Sequence, residues 1–417
     1  AANVFLHDAL RSLAESLKAR GSGLLLRRGP TIKALIDLAK ETGADAVYAN
    51  KVWEPAFLAR DAKAIAALRA NGLEARLFDD GVLFPPDKVT TTGGGPFRVF
   101  TPFWRRCMSS PAPEAPRPAP GRIRSPGTPP PSWPLPELRL RPSVPWDAGI
   151  RAAWSAGEKA GRDRLSGFLD NAMTAYPGDR DRPDRDGTSR LSPYLHFGAV
   201  SPRQAWHAVQ SRAAADSAPG AVRGAEAFLR QLVWREFAHH LLFHFPATVH
   251  APMREEFTAF PWRDDPAALV AWQKGRTGYP LVDAGMRQLW KTGWMHNRVR
   301  MVVASFLVRD LLLPWRRGAS WFLDTLVDAD LANNTFGWQW VAGCGADAAP
   351  YFRVFNPAQQ GGKFDPGGDY VRTWVPELAR LPDRWIHRPW EAPATVLFEA
   401  GVTPGKTYPR PIVDHAA

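Results

Sequence analysis

Leu6, Leu10, Leu13 and Leu17 recur at helical spacing and predict a helix over residues 4–20. The apolar run Gly23–Arg27 (GLLLR) predicts a short buried strand. After Gly29-Pro30 the pattern returns to helix over 31–42, then strand at Ala46–Ala49 (AVYA), helix over 54–72 and strand at Glu74–Phe78 (EARLF). Helices alternating with buried strands predict a parallel sheet covered on both faces. Three strands are few for an open doubly wound sheet, so this α/β domain reads as incomplete, with strands expected upstream of Ala1.

Residues 108–145 break the pattern. Proline recurs too often there for helix or interior strand, and arginine is interspersed, so an extended linker is expected. From Trp146 onward every periodic stretch is helical. The expected organisation is an α/β domain over 1–107, the Pro-rich linker 108–145 and an all-α domain over 146–417. In that last part, Ser201-Pro202 caps a helix over 202–212. Phe228–Pro246 is an amphipathic helix with Phe228, Leu232, Phe237 and Leu241 on its buried side. Gln231, Trp234, Arg235 and Ala238 share another stripe of it, where an amide, an indole and a guanidinium can meet a base and a phosphate. Glu236, His240 and His244 are four apart on it too, but the ligand order of a zinc hydrolase is absent, so no metal is assigned. Two further helices divide near Thr292-Gly293, and Trp294, Met295, Asn297, Arg298, Arg300 and Met301 cluster at the start of the second.

Polar residues interrupt apolar surroundings most sharply in Trp321–Arg353. A helix with Trp321, Phe322, Leu323, Leu326 and Val327 on its buried face runs into Asp328 and Asp330, then Asn333, Asn334 and Gln339 between Trp338 and Trp340. A buried polar group left unpaired costs roughly 2–7 kcal/mol. A large aromatic ligand with ring nitrogens and hydroxyls would satisfy this cluster; a tightly packed helix pair with capped ends is the plainer alternative. Upstream, Gly187–Pro202 sets Thr188, Ser189 and Ser192 in a hydroxyl-rich turn ahead of a helix, suited to phosphate.

Composition narrows the partners. The 417 residues carry a net charge of +12 with a pI near 10.0, which favours a polyanion, nucleic acid above all. Eighteen tryptophans supply stacking surfaces and oxidisable rings. Cys107 and Cys344 are too few for a disulfide framework or a metal cage, as expected of a reducing cytoplasm. No apolar run reaches the roughly 18 residues of a membrane span, and AANVFLHDALRSL lacks the basic-then-apolar order of a signal peptide.

Taken together, GTSRLS at Gly187–Ser192, WREF at Trp234–Phe237, TGYPLVDAGMRQL at Thr277–Leu289, WMHNRVRM at Trp294–Met301, DADLANN at Asp328–Asn334, WQW at Trp338–Trp340 and YFRVFNP at Tyr351–Pro357 resemble the DNA photolyase/cryptochrome family. The likeness covers about residues 24–390 and is nearest the microbial cyclobutane pyrimidine dimer photolyases. It implies FAD bound in the helical domain. Tyr176 and the turn Thr188, Ser189, Arg190, Leu191 and Ser192 would hold its diphosphate and ribityl region, and Phe228 would lie near the adenine. Arg235, Asn297 and Arg300 would line the flavin pocket, Asp328 and Asp330 would contact the isoalloxazine and adenine-side groups, and Asn334 would sit beside flavin N5. Trp338, Trp315 and Trp262 match a chain of indoles that carries electrons from the surface to the flavin. Gln231, Trp234, Asn297, Met301 and Trp340 fall at the pocket for a lesion flipped from the duplex; Arg298, Arg353 and Gln360 match DNA contacts. The resemblance thus implies light-driven repair of dimers in UV-damaged DNA by a monomeric bacterial cytoplasmic protein, associated with the nucleoid when bound to DNA.

The departures bear on specificity. Gln231 stands where many dimer photolyases have Glu, and Gln there also occurs in (6-4) photolyases and cryptochromes; Asn297, where (6-4) enzymes carry His, restores the preference for cyclobutane dimers. The family's opening strand motif has no match. Ala56 and Phe57 replace polar residues of an antenna-side loop, which leaves an antenna chromophore, methenyltetrahydrofolate or a deazaflavin, unassigned. A cryptochrome-like blue-light photoreceptor is the alternative reading.

Overall fold

A computed structural model describes residues 1–348 and 354–416. The chain forms two compact units, one of residues 3–170 and 190–246, the other of residues 1–2, 171–189 and 247–417.

The first unit carries the sheet. Its helices α1 (Ala2–Ala19), α2 (Thr31–Thr42) and α3 (Pro55–Ala70) alternate with the parallel strands β1 (Ala46–Asn50) and β2 (Glu74–Phe78), paired from Ala46 opposite Glu74 to Asn50 opposite Phe78. The β-α-β order expected from the pattern is therefore present, with α2 and β2 at the predicted residues. The strand expected at Gly23–Arg27 is not. Residues 22–28 are extended but form no ladder, because the Pro-rich segment lies alongside them. Leu26 donates its N–H to Ser132 Oγ (2.9 Å) and accepts from Trp133 N–H (2.9 Å), while Arg20 accepts from Ile123 N–H (2.8 Å). The prolines at 129–131 and 134 have no N–H to continue the pairing. A helix that the pattern analysis passed over, α4 (Phe100–Met108), buries Phe100, Phe103 and Cys107. It packs on α10 (Ala221–His244), which follows α5 (Ala148–Ala153), α6 (Glu158–Asn171), α7 (Tyr176–Asp179), α8 (Ser192–His196) and α9 (Pro202–Ala215) in the chain. Ser201 caps α9 as expected, in a reciprocal box with Gln204.

The second unit is helical among its described residues. Its main elements are α11 (Pro266–Gln273), α12 (Pro280–Thr292), α13 (Asn297–Ser305), a π turn at Phe306–Asp310, α14 (Trp315–Thr325), α15 (Leu331–Ala342), α16 (Pro357–Phe364) and α17 (Asp369–Trp374). One core runs through them, with Trp272, Val302, Val303, Phe306, Leu307 and Val371 essentially sealed from solvent. Gly293 ends α12 in the left-handed region (φ 68°), where glycine carries no Cβ penalty, so the break expected at Thr292-Gly293 is a glycine C-cap. α14 packs on α15, and α13 on α15. These two pairings position the candidate site of this unit.

Candidate functional site

In the helical unit the polar residues of Trp321–Asn334 divide into structural and unspent groups. Asp328, with a side chain only 3% exposed, accepts both bonds from Arg300 Nη2 (3.1 and 2.9 Å), and Arg300 Nε also donates to the Met295 carbonyl (2.8 Å). A fork held this way keeps a charged pair in one geometry at low dielectric. Asp330 turns elsewhere: it is the N-cap of α15, and its carboxylate accepts from Asn333 N–H and Asn333 Nδ2 (both 2.7 Å). Gln339 is also structural, since Nε2 donates to the Thr248 and Ala251 carbonyls and Oε1 accepts from Met253 N–H.

Asn334 ties α15 to α14 through Nδ2, which donates to the Ala319 carbonyl (3.0 Å) and leaves its Oδ1 without a partner among the described residues. Trp338 lies one turn further along α15 and is 2% exposed. Its ring meets Phe322 at 5.0 Å and Trp272 at 6.2 Å, both edge to face. It also rests on Gly318, where a Cβ would fall 2.0 Å from Trp338 Cη2. Trp338 Nε1 is buried with no hydrogen-bond partner among the described residues. Trp315, 5% exposed, lies in the same core, with Trp262 and Trp340 partly buried at its margin. Exposure therefore increases from Trp338 through Trp315 to Trp262.

Asn297 is exposed at the start of α13, with Nδ2 4.0 Å from Met301 Sδ, so these two share a face, and neither the amide oxygen nor its nitrogen is bonded to another nitrogen or oxygen among the described residues. Arg298 lies on a different side: its Nη2 donates to Asp181 (2.8 Å) and its guanidinium sits 4.4 Å over the Phe364 ring. Gln360, on α16, has a buried Oε1 with no partner among the described residues. Tyr176 is buried at the start of α7, which raises its phenol pKa, and Thr188 and Ser189 follow half-buried. Arg353 lies outside the described residues.

The sheet-bearing unit holds the remaining predicted residues. Arg190 has a left-handed backbone (φ 49°), rare for a residue other than glycine, and sets the turn into Leu191, which is buried, and Ser192, which is exposed. On α10, Phe228 is buried against Phe168 (4.7 Å), and Gln231 is half-buried. Trp234 stacks face to face on Phe100 of α4, with ring centres 3.5 Å apart and planes within 7°. Arg235 donates to the Gly81 carbonyl (3.0 Å) and to Glu236 (2.9 Å).

The Glu236–His240–His244 stripe has a structural task. Glu236 accepts from Leu83 N–H (2.6 Å) and Phe84 N–H (3.1 Å), His240 Nε2 accepts from Phe97 N–H (3.0 Å), and His244 Nε2 meets the Pro86 carbonyl (3.1 Å). Burial, opposed by Arg235, raises the Glu236 pKa, and burial with the neighbouring His244 pushes His240 down to about 4, so His240 is a neutral acceptor. Among the described residues no group of three or more His, Cys, Asp or Glu side chains is placed to hold a metal ion.

Sequence reasoning missed Phe100, Asp181 and Phe364 as partners of site residues. Phe100, Phe103, Trp104 and Cys107 do show helical spacing, and Arg180–Asp186 is a visible run of alternating charge; neither pattern says what it faces.

The donor set of the helical unit has the chemistry a flavin calls for: the Asn334 amide oxygen and the exposed Asn297 amide can take up ring-edge N–H and C=O groups, and the Arg300–Asp328 pair is held in one geometry. Family profiles match in both halves of the chain, "DNA photolyase" over residues 1–121 and "FAD binding domain of DNA photolyase" over residues 228–417. The sequence is 48% identical to the deoxyribodipyrimidine photo-lyase of Agrobacterium fabrum, over 99% of this chain and 85% of that protein. It is 41% identical to Cryptochrome-1 of Arabidopsis thaliana, over 98% of this chain and 61% of that one. Among solved structures, a bacterial class III photolyase from Agrobacterium tumefaciens superposes with a TM-score of 0.96 at 47% identity, covering 100% of this chain and 86% of that one.

Proposed function

Because the chain belongs to the DNA photolyase family, we propose that it uses light to split cyclobutane pyrimidine dimers in UV-damaged DNA. One observation carries the reading. Asn334 and Trp338 lie four residues apart on α15, hence one above the other on one helix face, with the Asn334 amide fixed by Ala319 and the Trp338 ring fixed by Gly318, Phe322 and Trp272. An amide poised to tune a redox ring and a buried indole able to pass an electron are thereby held side by side.

When bound in its reduced form, FAD would supply the light-driven, reversible one-electron chemistry of the repair. The chain's residues position and tune. Arg300 and Asp328 hold a fixed charge pair beside the ring system; Asn334 offers Oδ1 to the flavin edge; Tyr176, Thr188, Ser189, Arg190, Leu191 and Ser192 hold the diphosphate side, with Phe228 near the adenine. Trp338, Trp315 and Trp262 relay electrons inward from the surface when the cofactor must be reduced. Gln231, Trp234, Asn297, Met301 and Trp340 receive the flipped lesion, a poorly stacked pair of bases that costs less to extrude than intact ones. Arg298, Arg353 and Gln360 meet the DNA strand. No general acid or base is needed, since the electron cycle is neutral overall. We further infer a monomer acting in the cytoplasm on chromosomal DNA, in keeping with the +12 charge.

The test is light-dependent loss of thymine dimers from a short duplex by flavin-reduced protein, with a dark control. A photoreceptor is the second reading, favoured by the 41% identity to Cryptochrome-1 and by Gln231; stoichiometric FAD with no repair in the light would select it.

A further inference from the structure

Residues Asp179–Asp186 alternate acid and base, and two of the pairs close locally: Arg182 with Asp184, and Arg185 with Asp179 (2.7 Å). Asp181 instead reaches out of the run to Arg298, 117 positions away, at 2.8 Å, with Arg180 Nε at 3.9 Å from its other oxygen. Arg298 is mostly covered, its side chain 16% exposed, and its Nε is buried with no partner among the described residues. Its guanidinium lies 4.4 Å over Phe364, and the Lys363 ammonium approaches the same ring at 5.2 Å. Lys363 makes no ion pair among the described residues. Gln360, with its unpartnered Oε1, is one turn before Phe364 on the same face of α16. Two cations thus lie against one aromatic ring, and Asp181 is the carboxylate paired with one of them, Arg298. Carboxylate and phosphate offer a guanidinium the same pair of oxygens.

We propose that Asp181 is an intramolecular competitor for DNA: its carboxylate occupies Arg298 in the free protein, and a backbone phosphate must displace it there. The inference rests on the assignment of Arg298 to DNA made above. Displacement leaves Asp181 beside Arg180 alone, where it takes up a cation from solution. Asp181 therefore weakens damaged and undamaged DNA complexes alike, lowering overall affinity while leaving the ratio between them unchanged.

The FAD-loaded protein would be titrated with an undamaged duplex and a dimer-containing duplex at several salt concentrations. Asp181→Asn should bind both up to about fivefold more tightly, as expected for removal of one competing ion pair. Its dependence of log affinity on log salt should be steeper, by less than the roughly 0.9 that one neutralised phosphate contributes, because no cation is drawn to a freed carboxylate to offset a released counterion. Asp181→Glu should behave as wild type, and Arg298→Gln should bind more weakly. Asp181→Asn placed on Arg298→Gln should add nothing. The slope is read a second time on Asp181→Ser where the Asn variant misfolds. Unchanged or weaker binding by Asp181→Asn, with Arg298→Gln still defective, would overturn the proposal and make Asp181 an orienting residue. Full binding by Arg298→Gln would overturn the assignment of Arg298 itself, a distinguishable failure.

Discussion

Gly318 and Gly337 lie on the two packed helices α14 and α15, and the same substitution at each should act with opposite sign. At Gly318 a Cβ would stand 2.0, 2.5 and 2.6 Å from three atoms of the Trp338 ring. Carbon atoms settle at about 3.5–4.0 Å, so the ring must retreat by roughly 1.5–2 Å. It is boxed in by Phe322 and Trp272, which puts the overpacking cost near the upper end of the usual range, about 3 kcal/mol. Replacing glycine by alanine in a helix returns about 1 kcal/mol, leaving Gly318→Ala destabilised by about 2 kcal/mol. That corresponds to a fall in Tm of roughly 4–8 °C. At Gly337, by contrast, nothing among the described residues lies within 4 Å of the added Cβ, so Gly337→Ala should gain roughly 0.5–1 kcal/mol. The assay is thermal and denaturant unfolding of both FAD-loaded variants, followed by their rate of flavin photoreduction. Gly318→Ala should also photoreduce more slowly, since its displaced indole is the innermost of the proposed chain, while repair by chemically reduced protein persists. A Gly318→Ala protein as stable as wild type and photoreduced at the same rate would refute the packing argument.

Other outcomes follow from the same structure. Trp340→Ala should weaken binding of dimer-containing DNA at unchanged FAD content; loss of FAD would move Trp340 to the cofactor. Trp262→Phe should slow photoreduction and leave repair by pre-reduced enzyme intact, which single-turnover repair kinetics would check. Asp310 pairs with His415, and burial raises its carboxyl pKa from 3.8 to about 6. Because the folded-state pKa is the higher one, its contribution to stability is full below about pH 4 and is lost as the pH rises through about 6. Unfolding measured from pH 4 to 7 should show Asp310→Asn losing that part of the decline, on the order of 2–3 kcal/mol; an unaltered profile would show that Asp310 is not protonated in the fold.

The helical repeats were readable because their cause is local. α2 and β2 fall where the helical pattern over 31–42 and EARLF place them, and α9 begins at the Ser201-Pro202 cap. The motif residues of α13 and α15 are likewise on helix starts that the sequence marks. What stayed hidden depends on distant partners. Leu24–Leu26 look like a buried strand, yet strand identity requires a neighbour with alternating donors and acceptors, and the neighbour here is proline-rich. Trp234 gives no sign of Phe100, 134 positions earlier, nor Arg298 of Asp181, 117 positions earlier. The helical stripe of Glu236, His240 and His244 resembles a ligand set because burial of backbone N–H groups and metal binding call for the same lone pairs; only the loop over 81–97 tells them apart.

The proline-rich cover over Leu24–Leu26 bears on aggregation. An extended apolar segment with unpaired backbone groups is a template for a strand from another chain. Here the segment is met by Ser132 Oγ and Trp133 N–H, and the prolines beside them have no donors with which to extend a sheet. Replacing Pro129, Pro130 and Pro131 with threonine would restore those donors and raise the strand propensity of the cover. The tether would then be able to zip onto Leu24–Leu26, within one molecule or between two, and intermolecular pairing would appear as concentration-dependent thioflavin-positive assembly. The low-complexity stretch thus works as a guard on the chain's own sticky segment.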